Sequence, residues 1–432
     1  MAGEVLRSTT ARPAPWARSR ALDGIRGASW VAVFFGHADL IASSGVATMA
    51  MFVFFALSGF LITGSLLNEH ERTGRISLRH FFARRALRLV PALACFLLIW
   101  LVVIACFGKE PWTTSVPGGG PGRPEPFLVA LEAVGSAIGY ITNWTTIYQL
   151  SSGYSAIGHL WSLAVEEQFY LLWAPLLFIV LRRSRRGALI IATVVAAAST
   201  GEIFAIWNGG RGALRIEMGA DTRAGAFFLG AAVALAAAPL HNLLGRGHLV
   251  RAVAIAATFT LTWSTVGLAG TGSAHVVAFV ADTLAAPLLI ASIRSWSAGG
   301  LHLLRGPILT YLGERSYALY LWHYVWLTWL RSLDVLGVGL ALAASIICAE
   351  ASWRLVERRA LAHKKRFEPG AREAPTERGR LEGGRTEHLR SGSDHPQAGE
   401  AGPDAEAWPA GSSNGRVVLS ARAQSPARSA SD

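Results

Sequence analysis

The feature that most constrains this chain is a series of about ten apolar segments, each long enough to cross a bilayer as a helix of roughly 20 residues. The composition agrees, because 52% of the 432 residues are hydrophobic and only 16% are charged. The sequence therefore predicts an all-α fold, a polytopic membrane helical bundle. The predicted spans are residues 27–44, 47–67, 86–106, 161–181, 187–206, 224–240, 249–269, 274–293, 313–331 and 335–355.

The distribution of basic residues predicts the topology. Cytoplasmic loops carry an excess of Arg and Lys, and here such clusters precede the first span and follow the second, fourth, sixth, eighth and tenth. Both termini are therefore expected in the cytoplasm. The net charge of +12 is spread over these loops, where it sets orientation and attracts anionic lipid, so no nucleic-acid partner is expected.

Composition also divides the chain into regions. Residues 1–19 form a predicted cytoplasmic arm, residues 20–357 a membrane domain, and residues 358–432 a mixed-charge tail of the kind that is disordered. The first apolar stretch lacks a cleavage site and is not expected to be a removable signal peptide. A Gly/Pro-rich loop from Gly108 leads into a stretch that predicts a surface or half-inserted helix.

Two ionisable residues belong to the first apolar stretch, Arg26 at its cytoplasmic boundary and His37 within it, although hydrocarbon disfavours such groups. Eleven positions at about 100° per residue return to nearly the same helix face, roughly 16 Å further along the axis. Arg26 is placed to reach phosphates, with Asp23 able to orient it, and His37 to accept a proton at depth. The alternatives are a boundary anchor for Arg26 and a hydrogen-bonded core histidine for His37.

A second basic cluster stands in "FFARRALRLVP" at the cytoplasmic entry of the third span. Arg84 and Arg88 share a helix face, and Arg85 lies beside them. Three guanidinium groups within one turn can bind a polyanion, such as the phosphates of a nucleotide-bearing donor. The alternative is that they only mark the cytoplasmic side.

A third cluster, "HLWSLAVEEQFY", lies at the outer end of the fourth span. Ser162, Glu166 and Tyr170 fall on one helical stripe with aromatic residues. A carboxylate buried beside aromatic rings suits general acid or base chemistry, which makes Glu166 a candidate. Glu167 is interpreted as a solvated carboxylate at the helix end.

Weaker candidates follow in later spans. Asp221 and Arg223 stand at the outer start of the sixth span, and His323 lies well inside the ninth, where an ionisable group requires a partner. We count all three with the substrate-binding candidates. No residue spacing typical of a zinc or iron site is present, and phosphate-loop and dinucleotide motifs are absent, so no metal is expected.

Five motifs in order make the sequence resemble the membrane acyltransferase 3 family of integral membrane O-acyltransferases. They are Arg26 with His37, "FVFFALSGFLIT", "FFARRALRLVP", "HLWSLAVEEQFY" and "SYALYLWHY". The resemblance covers roughly residues 20 to 357. It implies that Arg26 and His37 are needed for transfer, that Arg84, Arg85 and Arg88 serve an acyl-coenzyme A donor, and that Glu166 is the essential carboxylate. The proline common after the histidine of the last motif is absent here.

The residues and the resemblance together imply a membrane-bound O-acyltransferase of the bacterial plasma membrane. It would move an acyl group, expected to be acetyl, from acyl-coenzyme A to a hydroxyl of a carbohydrate or glycosylated acceptor. His37 would act as general base or as nucleophile, and Ser162 and Tyr170 would help to hold the acceptor. The alternative is a multi-span transporter in which the buried His, Glu and Arg form an ion or proton pathway.

Overall fold

The computed structural model describes residues 19–38, 44–107, 126–150, 157–207, 212–244, 247–269, 272–295 and 301–367. The predicted N-terminal arm up to residue 18, the Gly/Pro-rich loop from Gly108 and the tail beyond residue 367 lie outside the described residues. Within those limits the chain is helical and contains no β-strand. The prediction of an all-α membrane bundle is confirmed.

The α-helices, in chain order, are α1 (Arg20–His37), α2 (Ser44–Thr73), α3 (Leu78–Phe107), α4 (Pro126–Ile138), α5 (Thr142–Ile147), α6 (Trp161–Leu181), α7 (Arg185–Ile206), α8 (Ala213–Met218), α9 (Ala220–Leu235), α10 (Ala237–Leu244), α11 (Gly247–Ala269), α12 (Ser273–Ser295), α13 (Pro307–Glu314), α14 (Ser316–Trp329), α15 (Asp334–Ser352) and α16 (Arg358–Ala362). Single 3-10 turns cover Gly158–Leu160, Arg331–Leu333 and His363–Phe367, and a π-helical turn covers Trp353–Glu357.

Seven helices are long and apolar enough to cross a membrane, judged by length and composition among the described residues. They contain the predicted spans except the first, sixth and ninth, which correspond to α1, α9 and α14. Helix α1 includes Arg20, Asp23 and Arg26, while α9 and α14 have only 16 and 14 residues. The predicted span 224–240 is divided between α9 and α10. The count of ten spans and the location of the termini stay predictions.

Local sequence explains where several helices begin. The side chain of Ser19 accepts a hydrogen bond from the backbone N–H of Leu22, and Asp23 lies in the first turn of α1, where the helix dipole favours a carboxylate. Ser184 caps α7 in the same way, accepting from the N–H of Gly187. Serine caps of this kind fix the first residue of a helix.

Helix α2 is the centre of the bundle and packs against α1, α6, α9, α11 and α12. Gly59 of α2 and Gly230 of α9 allow the closest of these contacts, since a Cβ on Gly59 would overlap the carbonyl oxygen of Phe227, and one on Gly230 that of Ala56. Small residues let helix backbones approach, which is the usual basis of helix association in membranes. The close packing holds the polar residues of α1, α2, α3, α6 and α14 around shared cavities.

Candidate functional site

A cavity lies between α1, α2, α3, α6 and α14, with an empty volume of about 810 Å³ that includes its open mouth. Three guanidinium groups line it, from Arg26 of α1 and from Arg85 and Arg88 of α3. We call it the arginine cavity. Its other polar lining residues are Ser58, Ser162, Glu166, Tyr170, Ser316, Tyr317 and Tyr320.

Arg85 is held by the paired carboxylates of α6. Its Nε lies 2.9 Å from Oε1 of Glu167, and its Nη2 lies 3.7 Å from Oε1 of Glu166. The guanidinium also stacks on the ring of Tyr170, with 3.2 Å between its central carbon and the ring centroid. Ion pairing and stacking together compensate the burial of this charge.

The carboxylate of Glu166 has further partners inside the arginine cavity. Ser58 and Tyr170 both donate a hydroxyl hydrogen bond to its Oε1. Hydrogen bonds from two hydroxyls to one carboxylate oxygen fix the position of the side chain. Glu166 therefore connects α2, α3 and α6 at the wall of the cavity.

Two expectations about this cluster are wrong in detail. Glu167 is not solvated at a helix end, because it is only 8% exposed and pairs with Arg85. Arg85 was also expected at the cytoplasmic entry of the third span and the two glutamates at the outer end of the fourth, and their contact means that these two locations cannot both hold. The cause is a tertiary contact between α3 and α6 that no local pattern encodes.

Arg84 does not join its neighbours in the arginine cavity. Its Nη2 pairs with Oε2 of Glu69 at 2.7 Å, and its Nη1 donates to the carbonyl oxygen of Phe367 at 2.6 Å. Glu69 also accepts a hydrogen bond from the backbone N–H of Ser77. Arg84 thus links the α2–α3 connection to the last described residues, and the predicted cluster of three donor-binding arginines is divided.

His37 contacts the predicted substrate-binding residue His323. Nδ1 of His37 lies 3.1 Å from Nε2 of His323, and the two rings are stacked with centroids 5.3 Å apart. His323 is fully buried, and its Nδ1 lies 2.8 Å from the carbonyl oxygen of Tyr320. His323 was expected to require a partner, and that partner is His37.

His37 lies beside a second cavity, which has an empty volume of about 1180 Å³ including its open side. We call it the histidine cavity. Its polar lining residues come from α1, α14 and the turn before α15, and they are His37, Tyr324, Thr328, Arg331 and Asp334. Arg26 and His37 were expected to line one wall of a single channel, but α1 presents them to two different cavities.

Contacting rings connect a residue that lines the arginine cavity with His37. His159, Tyr320 and His323 lie in mutual contact, with centroids 5.2 to 5.5 Å apart. The hydroxyl of Tyr320 donates to the carbonyl oxygen of His159 and lies 2.5 Å from Oγ of Ser162, which must then be the donor. We call His159, Tyr320 and His323 the ring layer. Tyr320 reaches the arginine cavity and His323 reaches His37.

The predicted pair Asp221 and Arg223 points in two directions, and neither residue lines the two cavities described above. Asp221 pairs with Arg215, with 2.6 Å between Nη1 and Oδ1. Partial burial favours the neutral carboxyl, but the hydrogen bonds from Arg215 outweigh it and hold the pKa of Asp221 below its usual value. Arg223 is fully buried, and its guanidinium lies 4.5 Å from the ring of Phe52 and 4.4 Å from that of Phe279. A role in substrate binding for these two residues has no support in this geometry.

Four further polar residues of the site were not predicted from the sequence, namely Ser58, His159, Tyr320 and Tyr324. All four lie inside the motifs quoted above, and each is a polar group in an apolar span, which is the signal that selected His37. Through the part of the chain that the structure describes, no group of three His, Cys, Asp or Glu side chains is placed to hold a metal ion.

Comparison with known proteins identifies the sequence as similar to bacterial acetyltransferases. Residues 19–350 match the family described as an acyltransferase domain. The peptidoglycan O-acetyltransferase OatA of Listeria monocytogenes is 27% identical over 359 residues, which are 78% of this chain and 54% of that protein. The O-acetyltransferase OatA of Staphylococcus aureus (strain NCTC 8325) is 28% identical over 358 residues, 78% of this chain and 56% of that protein.

The chain spans little more than half the length of these curated relatives. No solved structure matches it significantly. The seven apolar helices and the bacterial relatives together support an integral membrane protein of the bacterial plasma membrane.

Proposed function

Because the chain belongs to the acyltransferase domain family, we propose that it transfers an acetyl group from acetyl-coenzyme A to a carbohydrate hydroxyl. One observation carries the proposal: contacting rings connect Tyr320, which lines the cavity with three guanidinium groups, through His323 to His37, which lines a second cavity. A transporter is not favoured, since this family transfers acyl groups. In addition, three arginines line one cavity.

The donor is proposed to bind with its phosphates in the arginine cavity. Guanidinium groups bind phosphates through paired, charge-assisted hydrogen bonds. Arg26, Arg85 and Arg88 line this cavity together and supply its positive charge. The acetyl end of the donor would point along α1 toward the ring layer and His37.

His37 is proposed as the general base. Its Nε2 takes the proton of the acceptor hydroxyl while the hydroxyl oxygen attacks the carbonyl carbon of the thioester. The new C–O bond forms, the C–S bond breaks, and the departing thiolate takes the proton from the imidazolium, so coenzyme A leaves as a thiol. Transfer through an acyl-histidine is the variant in which Nε2 itself attacks the carbonyl carbon.

The acceptor is proposed to enter the histidine cavity. Tyr324 offers a ring face for a sugar, while Thr328, Arg331 and Asp334 offer hydrogen-bonding groups near His37. Because a relative is named for peptidoglycan, peptidoglycan fragments are the first acceptors to test. Ser162 and Tyr170, predicted to hold the acceptor, line the arginine cavity instead and bond to Tyr320 and Glu166.

The test uses proteoliposomes that contain the full chain, acetyl-coenzyme A labelled in the acetyl group, and soluble peptidoglycan fragments. We expect release of coenzyme A together with fragments that gain one acetyl group by mass. His37→Ala should lower the rate about 10²- to 10⁴-fold, the usual contribution of a general base. His302→Ala is the matched control, because His302 is exposed and lines neither cavity. Unchanged transfer by His37→Ala, or none by the wild-type chain, would contradict the proposal.

A further inference from the structure

The hydrogen bonds of the histidine pair allow its protons to be assigned. A carbonyl oxygen can only accept, so Nδ1 of His323, 2.8 Å from the carbonyl oxygen of Tyr320, must carry a proton. A neutral imidazole has one N–H, so Nε2 of His323 then holds a lone pair. The nitrogen that faces it at 3.1 Å, Nδ1 of His37, must be the donor.

The neutral form of His323 follows from its surroundings. The side chain is fully buried, and within the described ranges no carboxylate forms an ion pair with it. Its neighbours are the rings of Phe34 and His37 from α1, Tyr320 and Tyr324 from α14, and His159 from the turn before α6. A charged imidazolium in this layer would be costly without a counter-charge.

From this arrangement we propose that His323 is a positioning residue, which holds the proton of His37 on Nδ1 and so leaves Nε2 as the basic nitrogen. The inference rests on the proposed function of His37 as general base. An imidazole without this partner interconverts between two tautomers, and the one protonated on Nε2 cannot accept a proton there. The bond also strengthens when His37 becomes an imidazolium, because its donor then carries charge.

The arrangement reproduces, with a second histidine, the task that a carboxylate performs for catalytic histidines in hydrolases. The carbonyl oxygen of Tyr320 can only accept a hydrogen bond. It therefore fixes the direction of both hydrogen bonds, from His323 to Tyr320 and from His37 to His323. A carboxylate would bring a negative charge into the bundle, whereas a neutral imidazole orients His37 without one. The tautomer of His37 is therefore set by a backbone carbonyl group two hydrogen bonds away.

The test separates orientation from packing by changing single nitrogen atoms. In the proteoliposome assay, His323→Phe keeps a ring in the layer but removes the acceptor, and we expect kcat to fall about 10- to 100-fold, as for other groups that orient a histidine. Binding of coenzyme A, measured by calorimetry, should change less than about twofold because His323 lies outside the arginine cavity. His323→Gln offers an amide oxygen and should recover most of the rate.

Methylated histidines at position 37 make the assignment specific. Nδ1-methylhistidine has its lone pair on Nε2 whatever its partner, so in combination with His323→Phe it should recover part of the rate that His323→Phe loses. With Nε2-methylhistidine the base is blocked, and transfer should stop. His275→Phe is the matched control, because His275 is a buried histidine of α12 that lies against Phe279, outside the ring layer.

The outcomes distinguish the two proposals. Transfer by the wild-type chain that is lost in His37→Ala but unchanged in His323→Phe would overturn the inference and leave the proposed function standing. No recovery, or a further loss, when Nδ1-methylhistidine is combined with His323→Phe would also overturn it. Activity with Nε2-methylhistidine at position 37 would overturn both proposals, as would absence of transfer by the wild-type chain. If His323→Phe fails to fold, the methylated variants and His323→Gln still decide.

Discussion

Replacing Arg85 by methionine should destabilise the protein strongly, because it leaves two carboxylates without their cation. Arg85 and Glu167 are paired at 2.9 Å, and their side chains are only 14% and 11% exposed. Removing one partner of a buried ion pair costs about 3 to 5 kcal/mol, since the other charge stays buried without compensation. The remaining exposure places the expected loss near the lower end, about 3 kcal/mol. At about 2 °C per kcal/mol for a large chain, Tm should fall by about 6 °C.

The double variant Arg85→Met with Glu167→Gln tests the reason for that loss. It removes the cation and the carboxylate that lies nearest to it, so most of the lost Tm should return. Arg183→Met is the matched control, because this arginine is exposed on the connection between α6 and α7. Thermal unfolding of purified protein in detergent, followed by loss of the monodisperse peak, measures all three variants.

Two results would refute the reasoning. A Tm for Arg85→Met equal to that of Arg183→Met would show that the carboxylates of α6 do not depend on Arg85. A double variant no more stable than Arg85→Met would show that the loss comes from packing, for example from the stack on Tyr170. The second result would leave the ion pair as a contact of little energetic weight, as many surface pairs are.

The remaining predictions concern the donor, the packing and the response to acid. Arg88→Gln should raise the Kd for coenzyme A about tenfold, the loss of one charge-assisted bond, whereas Arg84→Gln should leave it unchanged; calorimetry measures both. Gly59→Ala should abolish folded yield because its Cβ would meet the backbone of α9, while Gly201→Ala, with open space around it, should be neutral or slightly stabilising. The folded pKa of Asp221 lies below the ordinary 3.8, so its salt bridge stabilises the protein above that pH. That stability should be lost as pH falls through the lowered pKa, seen as a smaller Tm difference between wild type and Asp221→Asn in acid.

Local patterns predicted the class of fold and the identity of many site residues. Long apolar runs require membrane helices whatever their neighbours, so seven of the ten predicted spans meet the length and hydropathy of a membrane helix. An ionisable side chain within such a run has few roles besides function, and this logic selected Arg26, His37, Glu166 and His323 before any contact was known. A prediction that depends only on one residue and on the apolar segment around it can be made from the sequence.

Contacts between distant helices could not be predicted in the same way. His37 and His323 are 286 positions apart, and Arg85 and Glu167 are 82 apart. Neither motif contains information about the helix that it contacts. The helical spacing of Arg84, Arg85 and Arg88 therefore predicted the same environment for all three. The structure separates them because Glu69 and the carboxylates of α6 approach α3 from different sides. Helix α3 also begins at Leu78, eight residues before the predicted start of its span at residue 86.

The helices that are too short or too polar to be recognised as membrane spans include the two that supply the proposed site. Helix α1 supplies Arg26 and His37, and α14 supplies Tyr320 and His323, yet one is too polar and the other too short to be recognised as a span. Polar groups can be held within a bilayer only where surrounding helices replace the lipid. Longer apolar helices around them satisfy that condition, and the exposed faces of α3, α7 and α11 carry large hydrophobic side chains. The proposed reaction at His37 thus depends on a shell of longer apolar helices, and it requires that the donor from the arginine cavity and the acceptor from the histidine cavity both approach His37.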